Sequence, residues 1–154
     1  FVGYLDDPDA TAAAVDDEGY FRTGDLGRLR EDGSFVYLTR RGDAIRLGGF
    51  LVNPVEIEDS LGALDGVADA AVIAVEIAGQ TRCVAFVAPE PGATLEEAAL
   101  VSAARERMAG FKVPARIWVL DALPVTTSAN GAKVQRAKLR EMAMARLGDP
   151  PGQG

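Results

Sequence analysis

Three groups of residues carry the types and spacings that chemistry needs. The first is Asp25, inside YFRTGDL at residues 20–26. A carboxylate held beside a glycine at the end of a strand can accept hydrogen bonds from a pair of hydroxyls. An aspartate that caps the turn at Gly24 would give the same pattern. The second group lies in TRRGDAIRLGGFLVNPVEIE, residues 39–58. Arg40 and Arg41 can fork onto phosphate or ribose oxygens. Gly42 is free of a side chain, and Gly48-Gly49 lets a narrow ligand approach the main chain closely. A solvated basic strand leading into a glycine hairpin also fits this stretch. The third is Lys133, at the end of LPVTTSANGAK, residues 123–133. A lysine on a flexible polar loop can reach a developing negative charge; a merely solvated lysine would read the same way.

The elements that must position these groups follow from periodicity and punctuation. Residues 9–15 suit a short helix, and residues 16–19 (DDEG) a turn. Residues 20–23 and 27–30 read as short strands. Asp32-Gly33 marks a hairpin turn before the strand formers at residues 35–38. Asn53 is placed to cap a helix with Pro54 at its first position and Glu56 and Glu58 in its first turn. Ile57, Leu61 and Leu64 then form one buried face. Strands are expected over 70–77 and 82–88, apolar on both faces and hence covered by helices on at least one side. A helix over 95–108, a break at 110–114, a strand over 116–120, a loop over 123–132 and a helix over 134–147 complete the order. The fold class is α+β: a hairpin, then a three-stranded sheet with flanking helices, preceded by strands of another domain.

Composition removes several alternatives. The chain has 154 residues and no histidine, so histidine metal sites and serine–histidine catalysis are excluded within it. Cys83 is the sole cysteine, so no internal disulfide forms and a reducing compartment fits. No apolar run reaches the length of a membrane span, and the first residues lack a signal-peptide pattern. The net charge of −7 is concentrated at the front: residues 1–32 hold nine acids against three arginines, a net of −6. Such a balance argues against non-specific nucleic-acid binding, which requires a basic field. Local basic groups around Arg40 and around residues 133–140 still suit a small phosphorylated ligand.

Taken together and in this order, the three motifs resemble the C-terminal part of the adenylate-forming superfamily, which includes acyl- and aryl-CoA synthetases, peptide-synthetase adenylation domains and luciferases. YFRTGDL is similar to the family's aspartate motif. RRGDAIRLGGFLVNPVEIE is similar to its hinge motif, and the loop to Lys133 followed by Val-Gln-Arg to its catalytic-lysine motif. The resemblance covers the chain from Phe1 to about Leu147. It implies a two-step reaction in which a carboxylic acid and ATP give an acyl-adenylate and pyrophosphate, and a thiol then displaces AMP. Mapped here, it implies that Asp25 binds the ribose hydroxyls and that Arg40 contacts the nucleotide. Lys133 would bridge the acyl carboxylate and the α-phosphate. Gly42 falls at the hinge, and Gly48 and Gly49 would line the pantetheine tunnel. Electrostatic logic agrees: a cation that stabilises the adenylation transition state must then leave so that the thiol can enter.

The resemblance also sets expectations about organisation. Residues 1–38 would be the end of a large N-terminal domain, 39–43 the hinge, 44–147 the mobile C-terminal domain and 148–154 a tail. The acid pocket and the phosphate-binding loop would lie in the large domain, as would the Mg2+ that accompanies ATP. The expected partners are a carboxylic acid, ATP and CoA, with AMP as product, in the cytoplasm. The isolated chain would be inactive, and its unpaired front strands could self-associate. The Asn-Pro-Val-Glu-Ile-Glu ending of the hinge motif looks like the CoA-ligase version; a peptide-synthetase or luciferase-like relative, or a non-catalytic module of the same fold, are the alternatives. The chain departs from the family's usual pattern in places: Gly42 replaces a charged hinge residue, Thr39 a glycine, Gly131-Ala132-Lys133 the commoner Gly-Lys, and Leu51 a residue that is polar or basic in some relatives.

Overall fold

A computed structural model describes residues 3–40, 42–128 and 131–148, without the side chains of Leu38 and Ser128. Arg41, Ala129, Asn130 and residues 149–154 of the expected tail therefore lie outside the described residues. The chain divides into two compact units, Phe1–Ala44 and Ile45–Gly154.

In the first unit, helix α1 spans Pro8–Ala14, with Pro8 at its first turn and the Asp7 carboxylate accepting from the Ala10 N–H at 2.9 Å. Residues 20–23 do not form the expected strand. The Asp16 carboxylate accepts from the Glu18 and Tyr20 N–H groups, and Phe21 forms an isolated bridge to Val15. The segment thus folds back around the turn onto residues 14–16, where the Arg22 N–H donates to the Ala14 carbonyl at 2.7 Å, and it pairs with no named strand among the described residues. Strands β1, Asp25–Leu29, and β2, Phe35–Arg40, pair antiparallel as a two-stranded sheet with an irregularity at Leu26/Gly27. The Phe35 ring lies across Gly27, where any β-carbon would collide with it. At the connecting turn, the Asp32 carboxylate accepts from the Ser34 hydroxyl and N–H, which holds its pKa below the usual carboxylate value. Among the described residues only Thr39 of this unit is buried, whereas Leu5, Tyr20, Leu29, Phe35 and Tyr37 are exposed. Among the described residues this unit has no apolar centre, so their burial offsets little of its ordering entropy.

The second unit holds the core. Strands β3, Ile45–Leu47, and β4, Phe50–Val52, form a hairpin. Helix α2, Pro54–Gly62, follows; Asn53 Oδ1 caps it through the Val55 N–H at 3.1 Å. Strands β5, Val67–Ile77, and β6, Gln80–Pro89, pair antiparallel over their length, around a turn at Ala78-Gly79. Helix α3, Glu97–Arg107, and a 3-10 turn, Gly110–Lys112, then cross over to β7, Ile117–Val119, which lies parallel to β6. A parallel pair requires such a crossover, and this one gives the strand order β5-β6-β7.

Alternation along the sheet sends side chains to both faces. Val72, Cys83, Ala85, Val87 and Ile117 meet Ile57 and Leu61 of α2 and Leu100 and Ala104 of α3. Ala71, Ile73, Val75, Val84, Phe86 and Trp118 meet Leu139 and Ala143 of the last helix, α4, Arg136–Gly148. The sheet is therefore covered on both sides, which explains why β5 and β6 are apolar on both faces. Burial raises the Cys83 thiol to a pKa of about 11, so at neutral pH it is a packed, protonated side chain and a poor nucleophile.

One expectation is overturned near the C-terminus. The stretch 123–132 is not a loop: β8, Val125–Ser128, and β9, Gly131–Val134, pair as an antiparallel hairpin. The β-branched Val125-Thr126-Thr127 run is its local cause. Of its described side chains all but Val134 are exposed, so no apolar periodicity announces it.

Candidate functional site

Each motif is positioned by a different local device. Asp25 and Arg40 stand directly opposite each other as the end pair of β1 and β2. Arg40 Nε lies 3.2 Å from Asp25 Oδ1, with the aspartate side chain 29% exposed and the arginine 67% exposed. The turn before the strand is held by Thr23, whose hydroxyl accepts from the Asp25 N–H at 3.1 Å. The Asp25 carboxylate thus faces a guanidinium and does not serve as the turn's cap. A carboxylate beside a half-free arginine fork is suited to a ligand that presents both hydroxyls and anionic oxygens.

Gly42 sits in a turn closed by the Asp43 and Ala44 N–H groups, which both donate to the Arg40 carbonyl at 3.0 and 3.1 Å. The division between the two units falls two residues later, after Ala44.

Gly48 and Gly49 form the two-residue turn of the β3–β4 hairpin, with φ of +55° and +87°. Two successive positive φ values are what a tight, right-twisted hairpin requires, and glycine supplies them without strain. Arg46 Nη1 donates to the Gly49 carbonyl at 3.1 Å, holding the turn from one side. On the other side, Phe111 stacks on Phe50 with centroids 4.7 Å apart. We expect Gly48→Ala and Gly49→Ala each to cost about 1–2 kcal/mol, the penalty for a side chain in the left-handed region. The β-carbon of Gly48→Ala would meet that of Phe111 at 3.4 Å, an ordinary contact, so backbone strain sets the cost at both positions. Urea denaturation of both variants checks this, and unchanged midpoints would refute it.

The turn lines one wall of an open cleft of about 510 Å³, shared with Arg46, Arg82 and Phe111. Neither Arg82 nor Phe111 was identifiable from the sequence. They reach the cleft because the β5–β6 turn and the 3-10 turn after α3 are brought to the same end of the unit by the sheet topology. The cleft presents two guanidinium groups, an aromatic ring and side-chain-free backbone.

Lys133 lies on β9, opposite Thr126. It is exposed, and among the described residues no ion pair holds it. It is not among the residues lining the cleft. Within the second unit, the diglycine turn and the lysine therefore occupy separate places, while Asp25 and Arg40 belong to the first unit.

The fold, the capped α2 after a diglycine hairpin and the lysine hairpin before α4 define a class. Residues 56–130 match the family model described as the AMP-binding enzyme C-terminal domain, and the chain belongs to the adenylate-forming superfamily that carries this domain. Among the proteins it is similar to are acid–CoA ligases. It is 43% identical over 143 residues to the methyl-dioxo-octahydroindenyl-propanoyl:CoA ligase of Mycobacterium tuberculosis, covering 92% of this chain and 27% of the relative. It is 38% identical over 151 residues to the medium-chain fatty-acid–CoA ligase of Escherichia coli, covering 96% of this chain and 26% of the relative. Among solved structures it resembles ATP-bound MatB from Rhodopseudomonas palustris, with a TM-score of 0.77 and 36% identity over 94% of this chain and 28% of that one. The chain thus spans about a quarter of the length of the proteins it matches. Among the described residues, no helix is long and apolar enough to cross a membrane.

Proposed function

We propose that this chain is the C-terminal part of an ATP-dependent acid–CoA ligase, and that it supplies the adenylation lysine and one wall of the CoA channel. Residues 1–38 would end the large domain, 39–43 would form the hinge, and 44–147 would be the domain that moves between the half-reactions. Asp25 would hold the ribose hydroxyls and Arg40 the nucleotide, in keeping with their pairing across β1 and β2. Gly42 would let the backbone turn at the hinge. Lys133, exposed and uncommitted to an ion pair among the described residues, would meet the charge that builds as carboxylate attacks the α-phosphate. Mg2+ would accompany ATP on the large domain, and the reaction would take place in the cytoplasm.

The observation that carries the CoA reading is the cleft at Gly48 and Gly49. CoA joins a slender pantetheine arm to a phosphorylated nucleotide. A side-chain-free turn flanked by Arg46, Arg82 and Phe111 offers room for the arm, cations for the phosphates and a ring for the base.

The test separates fragment from enzyme. In the intact ligase, ATP and a matching acid should release pyrophosphate, and CoA should then be acylated. The 154-residue chain alone should release none across a panel of acids. Robust turnover by the isolated chain would overturn the proposal, and acylation of a carrier-protein thiol in place of CoA would redirect it to the peptide-synthetase branch.

A further inference from the structure

Along the hairpin that carries Lys133 every described side chain is exposed except Val134 at its base, and Val125 at its start is 45% exposed. Packing along its length therefore cannot fix the direction in which it projects. That direction must be set at its base. There Gln135 donates from Nε2 to the Val125 carbonyl at 3.1 Å and from its backbone N–H to the Pro124 carbonyl at 2.8 Å. Leu123 and Val134 rest against the core beneath α4.

The next residue, Arg136, opens α4 and forks onto Glu58 of α2. Nη1 lies 2.8 Å from Oε1, and Nη2 lies 3.1 Å from Oε2. The same Nη1 donates to the Val72 carbonyl at 2.7 Å, and Glu58 Oε1 accepts from the Val72 N–H at 2.7 Å. Both partners thus hold one peptide position of β5 from its two polar groups. The Glu58 side chain is only 14% exposed, so water screens the pair less than it would at an open surface. A planar fork on a carboxylate restrains orientation as well as distance, which a lysine in the same place would not do. Only Val134 and Gln135 separate this anchor from Lys133.

We propose that Glu58 and Arg136 are positioning residues for Lys133. Their fork pins the start of α4 to α2 and β5, and so aims the hairpin that presents the ammonium group. This rests on the adenylation role given to Lys133 above. A clamp that served only the stability of the fold would affect every strand and both half-reactions alike.

Two measurements distinguish these cases, using Glu58→Gln and Arg136→Lys. Both variants keep a hydrogen-bonding group at each site and limit the risk of misfolding. The first measurement is amide hydrogen exchange in the 154-residue chain. Amides of β9 should exchange about tenfold faster in the variants, while those of β6 stay within about twofold of the parent. The second uses the intact ligase. Adenylation should fall by about tenfold to a hundredfold, the scale of a misplaced catalytic group, while acyl transfer to CoA from supplied acyl-adenylate stays within about twofold.

Unchanged β9 exchange would overturn the anchoring role. Faster exchange in β6 and β9 together, or equal loss of both half-reactions, would reduce the pair to a structural clamp and overturn the proposal too. An intact parent protein that forms no adenylate would instead remove the ligase reading, and the exchange result would still decide the anchor.

Discussion

In the intact ligase, Lys133→Ala should lower acyl-adenylate formation by about 10²–10³-fold, the loss typical when one preorganised electrostatic donor is removed. Transfer to CoA from a supplied adenylate should be spared, because the proposed role confines the lysine to the point where carboxylate and α-phosphate meet. The fold should hardly notice the change. Lys133 is exposed, pairs with Thr126 through the backbone alone, and among the described residues makes no ion pair. A surface substitution of that kind shifts stability by less than about 0.5 kcal/mol. Pyrophosphate release under single-turnover conditions, set beside thioester formation from the adenylate, reads both effects. Equal loss in the two half-reactions would contradict the assigned role, as would a variant that adenylates normally.

The largest expected effect on stability comes from Phe86→Ala. Phe86 has no exposed surface and sits in the middle strand of the three-stranded sheet. Its ring lies 5.1 Å from that of Trp118, and the Arg146 guanidinium covers both rings from 5.9 and 5.5 Å. Truncation removes the ring's transfer free energy and leaves a void between sheet and α4, at a cost of about 3–5 kcal/mol. Small domains have only about 5–15 kcal/mol in total, so the variant should be near the limit of folding. Trp118 is the chain's one tryptophan and lies in the same cluster, so its fluorescence reports on this unit alone. The urea midpoint should fall by roughly 2 M, given a denaturant slope of about 1–3 kcal/mol per molar. A shift below about 0.5 M on that slope would mean that the cavity collapses and that α4 is not held by this face.

Much of the second unit was legible in the residues. Asn53 and Pro54 announced the start of α2, and its cap forms as expected. The apolar runs announced β5 and β6, although both strands reach further than the runs do: backbone pairing carries β5 back past Asp69 to the buried Val67 and carries β6 back to the exposed Gln80. Local rules suffice where a segment's own side chains decide its state: a cap, a fixed proline φ, an alternation with a buried side.

They failed where the decisive partner was elsewhere. Residues 20–23 carry strand formers, yet Asp16 takes the Tyr20 N–H, and among the described residues the segment pairs with no named strand. Residues 125–128 and 131–134 pair as a hairpin whose exposed side chains leave no periodic trace.

The sequence by itself determined the class of protein, the order of its elements and the residues to which roles are proposed, since motifs and short-range signals survive in one dimension. Only the tertiary structure decided that Arg82 and Phe111 share a cleft with Gly48 and Gly49, and that Glu58 grips Arg136, 78 positions away. Those neighbours are set by the crossover that lays β7 parallel to β6 and by α4 closing over β5. A contact between distant residues is a property of how the sheet is assembled, and no local spacing encodes it.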